Sequence, residues 1–488
     1  MIGRLFDVTV IGSNLSGLIA ASLLVKRGFN VLIADVKNNR HCAPVGGYRL
    51  GRFHNLLFGF AKDQIFPTIF SELGIPFLDK KRFTLAEPAC QVVMPLRRID
   101  VVQDRDDWLS SMKYEFPAEA DAIRSLYSVI DKHGTGIRDF FSHNAIYPVS
   151  SIAEKMAARK AFNHSQETLP DSLKRSFADI LQSAALSAEA EAVIESMLQF
   201  LSPTYPDAVN LAFASHWLNT TNSGIYHVEG GAKSLEGVFM ERITSYRGTY
   251  HIADAIEDVH FGKFAEIKFS DQKEAVKTRF VLVADDILSF MQDYAPKHFK
   301  SHIKSKIEIA PFRSHDFVLY LGVDEGVVPV GMEVNVVLVT DPAAELVDEN
   351  CIFINISNPL DETLAPQGKR LVSARVKVKP SDKALGELEA KKLCERMIRN
   401  LKDLIPFLDD FTDLVPLKES YRLYLEERKR AWEWNIDDER LGVGYLGYRT
   451  PHKSIFYCGR AILPGLGLEG EAIAARNAAN ILSDKIGK

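Results

Sequence analysis

The chain has no apolar run long enough to cross a membrane, no charge excess of one sign, no C-x-x-C pair and no low-complexity segment. Each absence narrows what its 488 residues can be. The longest mostly apolar stretches, such as Gly17 to Val25, fall well short of the roughly 20 residues a spanning helix needs. Met1 to Phe6 lead straight into a strand-like run without a signal-peptide pattern. The expectation is a cytoplasmic protein, with peripheral membrane contact as the most a bilayer would receive. Lys and Arg number 59 against 64 Asp and Glu, a net −5 that argues against a nucleic-acid partner. The cysteines (Cys42, Cys90, Cys351, Cys394, Cys458) are odd in number and scattered, which excludes a disulfide framework and points to a reducing compartment. No spacing of ligating residues suggests a metal.

What is present begins at Asp7-Val-Thr-Val-Ile-Gly-Ser-Asn-Leu-Ser-Gly17. A β-rich apolar run ends in a glycine turn, and an apolar helix follows (Leu18 to Val25). Gly28 and a second apolar run, Val31 to Asp35, complete the unit. That order describes a βαβ nucleotide-binding unit, in which amides at the helix start face a pyrophosphate. Asp35 lies 18 residues past Gly17, near the spacing that sets a carboxylate on the adenosine ribose. Where the motif has a middle glycine this chain has Asn14, a residue tolerant of unusual backbone angles whose side chain takes up space near the phosphates. The bland alternative is a buried strand and helix without a ligand.

Further on, Gln91–Met94 and Ile99–Gln103 read as strands of another sheet. Residues from about 106 to 203 read mostly as helix, with apolar spacing at Phe177, Leu181 and Ala184 and at Val193, Met197 and Leu201. Tyr226 to Gly231 is a glycine-punctuated loop before a helix over 234–246. An alternating strand through Ala265, Ile267 and Phe269 and a buried run, Phe280–Ala284, follow. A strand-rich segment spans 316–376. An amphipathic helix with Leu393, Met397, Leu401 and Leu404 on one face comes next, limited by Pro406. Near the C-terminus, strand Ile455–Tyr457 reaches Gly459, and Gly465-x-Gly467-x-x-Gly470 opens an alanine-rich helix. Two glycine-rich turns at opposite ends of the chain suit one extended dinucleotide gripped from two sides.

Four blocks carry a family resemblance: Gly12 to Asp35, Gly47 to Gly51, Tyr226 to Gly231, and Cys458 to Gly470. With these blocks the chain resembles the phytoene desaturase-like and retinol saturase-like branch of the FAD-dependent oxidoreductases, within the amine oxidase superfamily. The resemblance implies an α/β fold with a discontinuous FAD-binding Rossmann domain of the glutathione-reductase type (1–62, 222–290, 445–488). It implies a mixed β-sheet substrate domain (63–105, 291–444) and a mostly helical cap (106–221). It implies FAD as cofactor. Gly12, Ser13, Asn14, Leu15, Ser16 and Gly17 would surround the pyrophosphate, Asp35 would hold the ribose, and Val259 would offer backbone contacts to adenine. Gly459 and Arg460 would lie beside the pyrophosphate or ribityl chain, with Gly467, Leu468, Glu469 and Gly470 at the isoalloxazine.

The implied reaction is hydride transfer at carbon, desaturating or saturating a hydrophobic polyene or isoprenoid, with the electron acceptor unassigned. A non-catalytic isoprenoid- or protein-binding module with a degenerate flavin site is the alternative. No catalytic residue is assigned. His54, His216 and His227 are candidates, each more often structural. Trp432-Glu-Trp434 reads as helix packing, and the basic stretch Lys155–Arg175 as a solvated helix face.

Overall fold

The computed structural model describes residues 5–36, 42–51, 56–62, 64–76, 83–143, 145–165, 169–202, 209–294, 305, 315–359, 361–379, 383–434 and 441–487. His54 lies outside these residues. Two seven-stranded sheets organise the mixed α/β architecture. The first gathers strands from distant parts of the chain, in the order Thr249–Ala253, Val31–Val36, Leu5–Ile11, Val276–Val283, Ala265–Phe269, Ile256–Phe261. Ile455–Tyr457 joins it by pairing in parallel with the end of Val276–Val283. Leu5–Ile11 sits between two parallel neighbours, and its Val8 and Val10 are fully buried, as are Leu32, Ile33, Val281 and Leu282 beside it. Strands covered on both faces are the ones that read as continuous apolar runs. Ala265–Phe269 alternates instead, because it is antiparallel and only Ala265, Ile267 and Phe269 turn inward.

The first helix, Leu15–Lys26, packs against the C-terminal helix, Gly467–Ile486. Small buried residues line both (Ala20 and Ala21 on one, Ala472, Ala475 and Ala479 on the other), so the two backbones lie close over the sheet.

The second sheet runs Thr412–Leu414, His315–Asp324, Lys369–Val378, Cys351–Ile356, Asn335–Val339, Cys90–Met94, Arg97–Val101. One face packs beneath helix Glu387–Leu404, which buries Leu393, Met397, Leu401 and Leu404 as its spacing requires. The other face meets the helical region, where Val337, Val339, Cys351 and Phe353 share a core with Phe200 and Leu201 of helix Ala188–Leu201. The strand expected over 99–103 is Arg97–Val101, because a tight connection sets Met94 opposite Arg97. The helix expected over 234–246 starts earlier, at Gly231. Helix Ile152–His164 buries Glu154, Ala158 and Ala161 and leaves Ile152, Lys155, Met156 and Arg159 exposed. Among the described residues no helix is long and apolar enough to cross a membrane.

Candidate functional site

Three parallel strands end in register. Ile11 pairs with Val283, and Val283 with Tyr457. Ala284 N–H donates to the Ile11 carbonyl (2.8 Å) and Cys458 N–H to the Val283 carbonyl (3.0 Å). Gly12, Ala284 and Cys458 therefore leave the sheet side by side, and the two ends of the chain meet at one edge. Open α/β sheets bind ligands at such carboxyl-terminal strand edges.

The N-terminal turn admits no side chains at its first and last glycines. Gly12 has φ +102°, and a Cβ there would stand 2.7 Å from the Asp285 Cβ. A Cβ on Gly17 would stand 2.3 Å from the Gly12 carbonyl oxygen. Asn14 has a different task from the one its spacing suggests. Its Oδ1 accepts from Gly17 N–H (2.9 Å) and its Nδ2 donates to the Ala284 carbonyl (2.8 Å). The side chain is thus spent inside the protein, capping the helix and tying the turn to the neighbouring strand. Leu15 and Ser16 open the helix, both buried. Ser13 Oγ donates to Asp35 Oδ2 (2.5 Å), which joins the turn to the acid at the end of Val31–Val36.

At the other end, a Cβ on Gly459 would stand 2.6 Å from the Tyr457 hydroxyl, and one on Gly470 2.1 Å from the Leu463 carbonyl oxygen. Gly467 opens the C-terminal helix with φ +51°, facing Trp217 and Phe58, and Leu468 is half-buried between two cores. Ser16 Oγ lies 3.4 Å from Glu471 Oε2, which links the two helix starts. Val259 lies on the outer strand Ile256–Phe261 of the same sheet. It pairs with Ile267, and its side chain is buried in the core.

Beside the turns lies a charge cluster that inspection of the sequence misses. Arg430 donates to Asp285 (2.6 Å) and to both carboxylate oxygens of Glu433 (3.0 and 3.1 Å). Arg460 Nε lies 3.4 Å from Glu433 and 3.5 Å from Glu471. Burial pushes the Glu433 carboxyl up to about 7 against the pull of both guanidiniums. Glu471 is also raised by burial, against Arg460. The available signal was Asp285, two residues past the buried strand Val276–Val283 at the edge where the turns meet, and the i, i+3 pair Arg430 and Glu433. Trp432 packs against the first core as expected, but the informative residue of that triplet is the acid between the tryptophans.

The raised carboxyls predict a pH dependence. Glu433 rises from 4.5 to about 7 on folding, so across that window the native chain holds a proton that the unfolded chain releases. Stability is then fully present at the acid end and declines as pH rises through the window. Urea midpoints should be lower at roughly pH 8 than at roughly pH 5; a higher midpoint at the alkaline end would contradict the placement of these acids.

His216, on helix Leu211–Ser223, stands 3.3 Å from Glu469 of the C-terminal helix, and both are almost fully buried. The distance suits an ion pair, yet neither ring nitrogen of His216 nor Glu469 Oε2 makes a well-directed hydrogen bond among the described residues. His227 lies apart, on strand Tyr226–Val228 with its Nε2 3.3 Å from Asn335 Nδ2, and burial lowers its pKa. Replacing His216 or Glu469 alone by an apolar residue should strand its partner and cost about 3–5 kcal/mol, whereas His216→Leu with Glu469→Met should be near neutral. A double-mutant cycle by urea denaturation measures this, and additive single effects would refute the pairing.

No protein-family model matches the chain. It is 22% identical to a 4,4'-diapophytoene desaturase (4,4'-diapolycopene-forming) of Methylomonas, over 98% of this chain and 95% of that protein. It is likewise 22% identical to the chloroplastic prolycopene isomerase of Daucus carota, over 99% of this chain and 81% of that one. Among solved structures, an oxidoreductase from Methanosarcina mazei superposes with a TM-score of 0.62 at 16% identity, covering 97% of this chain and 100% of that chain. These likenesses span nearly the whole of this chain, which is similar to phytoene desaturase-like proteins.

Proposed function

We propose that the chain is an FAD-dependent oxidoreductase acting at carbon on a hydrophobic, isoprenoid-like substrate. The reading is supported above all by the in-register ends of the three parallel strands, which bring both glycine turns to one edge. The desaturase and isomerase relatives support the substrate class. On this reading the first sheet with its two helices is a glutathione-reductase-type cofactor domain, the second sheet holds substrate, and the helices between 105 and 223 form the cap.

The residues fit the cofactor in shape. The glycines bring backbone close at both turns, and the acid–hydroxyl pair Asp35 and Ser13 stands where ribose hydroxyls would bind. With Gly17 N–H already bonded to Asn14, the amides of Leu15 and Ser16 would receive the diphosphate. Arg460, held by Glu433 and Glu471, would place positive charge beside it. Gly467 to Gly470, at the positive end of the C-terminal helix, would face the flavin ring. FAD, when bound, supplies the hydride-accepting centre. The chain's own contribution is to orient that centre, exclude water with the cap and set the buried His216–Glu469 pair at the start of the C-terminal helix.

The test is the spectrum of the purified protein. A yellow preparation that bleaches under dithionite supports the oxidoreductase. A colourless protein that cannot be reconstituted with FAD would favour a binding module instead.

A further inference from the structure

The face of the second sheet that meets the cap carries two buried cations, Arg375 and Lys377. Lys377 and Arg375 alternate on strand Lys369–Val378 and point to the same side. Asp316 stands opposite Lys377 on the neighbouring strand. Its carboxylate is taken by Arg375, whose Nη1 lies 2.9 Å from Oδ2. The other arm of Arg375 donates to the Phe200 carbonyl of the cap helix (2.9 Å), and the guanidinium covers the Phe353 ring at 4.6 Å. Arg375 is thus committed to protein groups.

Lys377 is held less closely. Its Nζ forms an ion pair with Asp316 Oδ1 at 3.7 Å but makes no well-directed hydrogen bond among the described residues, although only 1% of the residue is exposed. Burial, reinforced by Arg375, draws the amine down to about 8 against the pull of Asp316. Cys351, on the next strand, is raised to about 12 by burial and remains a neutral thiol, with Glu195 of the cap helix also acting on it. Asp316 is thus shared by two buried cations, and the lysine end of that pairing is the longer one. An ammonium in that state costs several kcal/mol unless an anion completes it.

We propose that Lys377, backed by Arg375, receives the carboxylate head group of an otherwise apolar substrate at the junction of sheet and cap. Val339, Cys351, Phe353 and Phe200 of the same junction are buried together in an apolar core, which a ligand tail would have to enter. The substrate class is then a long-chain or isoprenoid acid rather than a plain hydrocarbon. This deepens the reading of a hydrophobic substrate and rests on it for the apolar tail alone. A cross-strand ion ladder that only fastens cap to sheet is the competing account.

Farnesoic acid and farnesol share a tail and differ at the head group, which makes them suitable probes. Binding to the full-length protein is measured by calorimetry and thermal shift, with flavin content recorded on the same samples. Farnesoic acid should bind at least about tenfold more tightly than farnesol. Lys377→Met should unfold at the same or a higher temperature and reduce that preference to within about twofold, because a buried charge with only a long ion pair is removed while Asp316 keeps Arg375. Lys377→Arg, which keeps the charge, should retain the preference. Equal binding of acid and alcohol, no binding of either, or a preference that survives in Lys377→Met would each overturn the proposal. So would a Lys377→Met protein that melts earlier with its preference intact, the mark of a structural ladder. Loss of flavin with the acid preference retained would count against the redox reading and leave this site standing.

Discussion

Gly17→Ala should abolish FAD retention and destabilise the fold by about 1–3 kcal/mol, the range for an overpacked core. The added methyl would lie 2.3 Å from the Gly12 carbonyl oxygen and 2.9 Å from the Ala284 Cβ. Both obstacles belong to strand ends or to the turn, and neither can swing aside as a flexible side chain could. The first helix would have to lift from the sheet edge, breaking the Asn14 cap and moving the amides of Leu15 and Ser16. Affinity for FAD should fall by at least about 100-fold, close to 3 kcal/mol. Gly28→Ala is the control. Gly28 also has positive φ (+89°) but nothing within 4 Å of its missing Cβ. It should lose only about 1 kcal/mol from backbone strain and keep its flavin. Equal FAD affinity in Gly17→Ala and the parent chain would refute the assignment of this turn.

Arg430→Met should be among the most destabilising single changes, at about 3–5 kcal/mol near neutral pH. Arg430 holds two buried carboxylates, Asp285 at 2.6 Å and Glu433 at 3.0 Å. Arg460 reaches Glu433 at 3.4 Å but is shared with Glu471. The variant left with two buried anions should recover part of its stability in acid, where Glu433, already raised to about 7, takes up its proton. Urea denaturation at roughly pH 5.5 and 8 separates the effects. The deficit should be smaller at the lower pH. A pH-independent deficit would show that packing of the arginine stem, not charge, explains the loss.

The parts of this fold legible in the sequence are those where local pattern and tertiary role agree. The first βαβ unit, the Ile455–Tyr457 strand and the Glu387–Leu404 face all declare themselves by period, because burial on one or both faces leaves a periodic trace. The glycines at 12, 17, 459 and 470 are legible for a related reason, since each sits where backbone or a strand-end side chain leaves no room for a Cβ. Asn14 shows the limit. Its residue type signalled a motif departure, but only the fold reveals a carbonyl at position 284 to bind its amide. The buried ions were invisible for the same reason. Arg430 meets Asp285 across 145 positions, and Lys377 differs from a solvated lysine only in what the cap covers.

The central claim is that both ends of the chain hold one dinucleotide, and comparing FAD with FMN on the apoprotein tests it most directly. FMN carries the ring but lacks the adenosine half that Ser13, Asp35 and the first turn would engage. Fluorescence titration should give equimolar FAD binding at least about 100-fold tighter than FMN, the contribution expected when a whole nucleotide half is held. FMN binding as tightly as FAD, or neither binding at all, would contradict the claim.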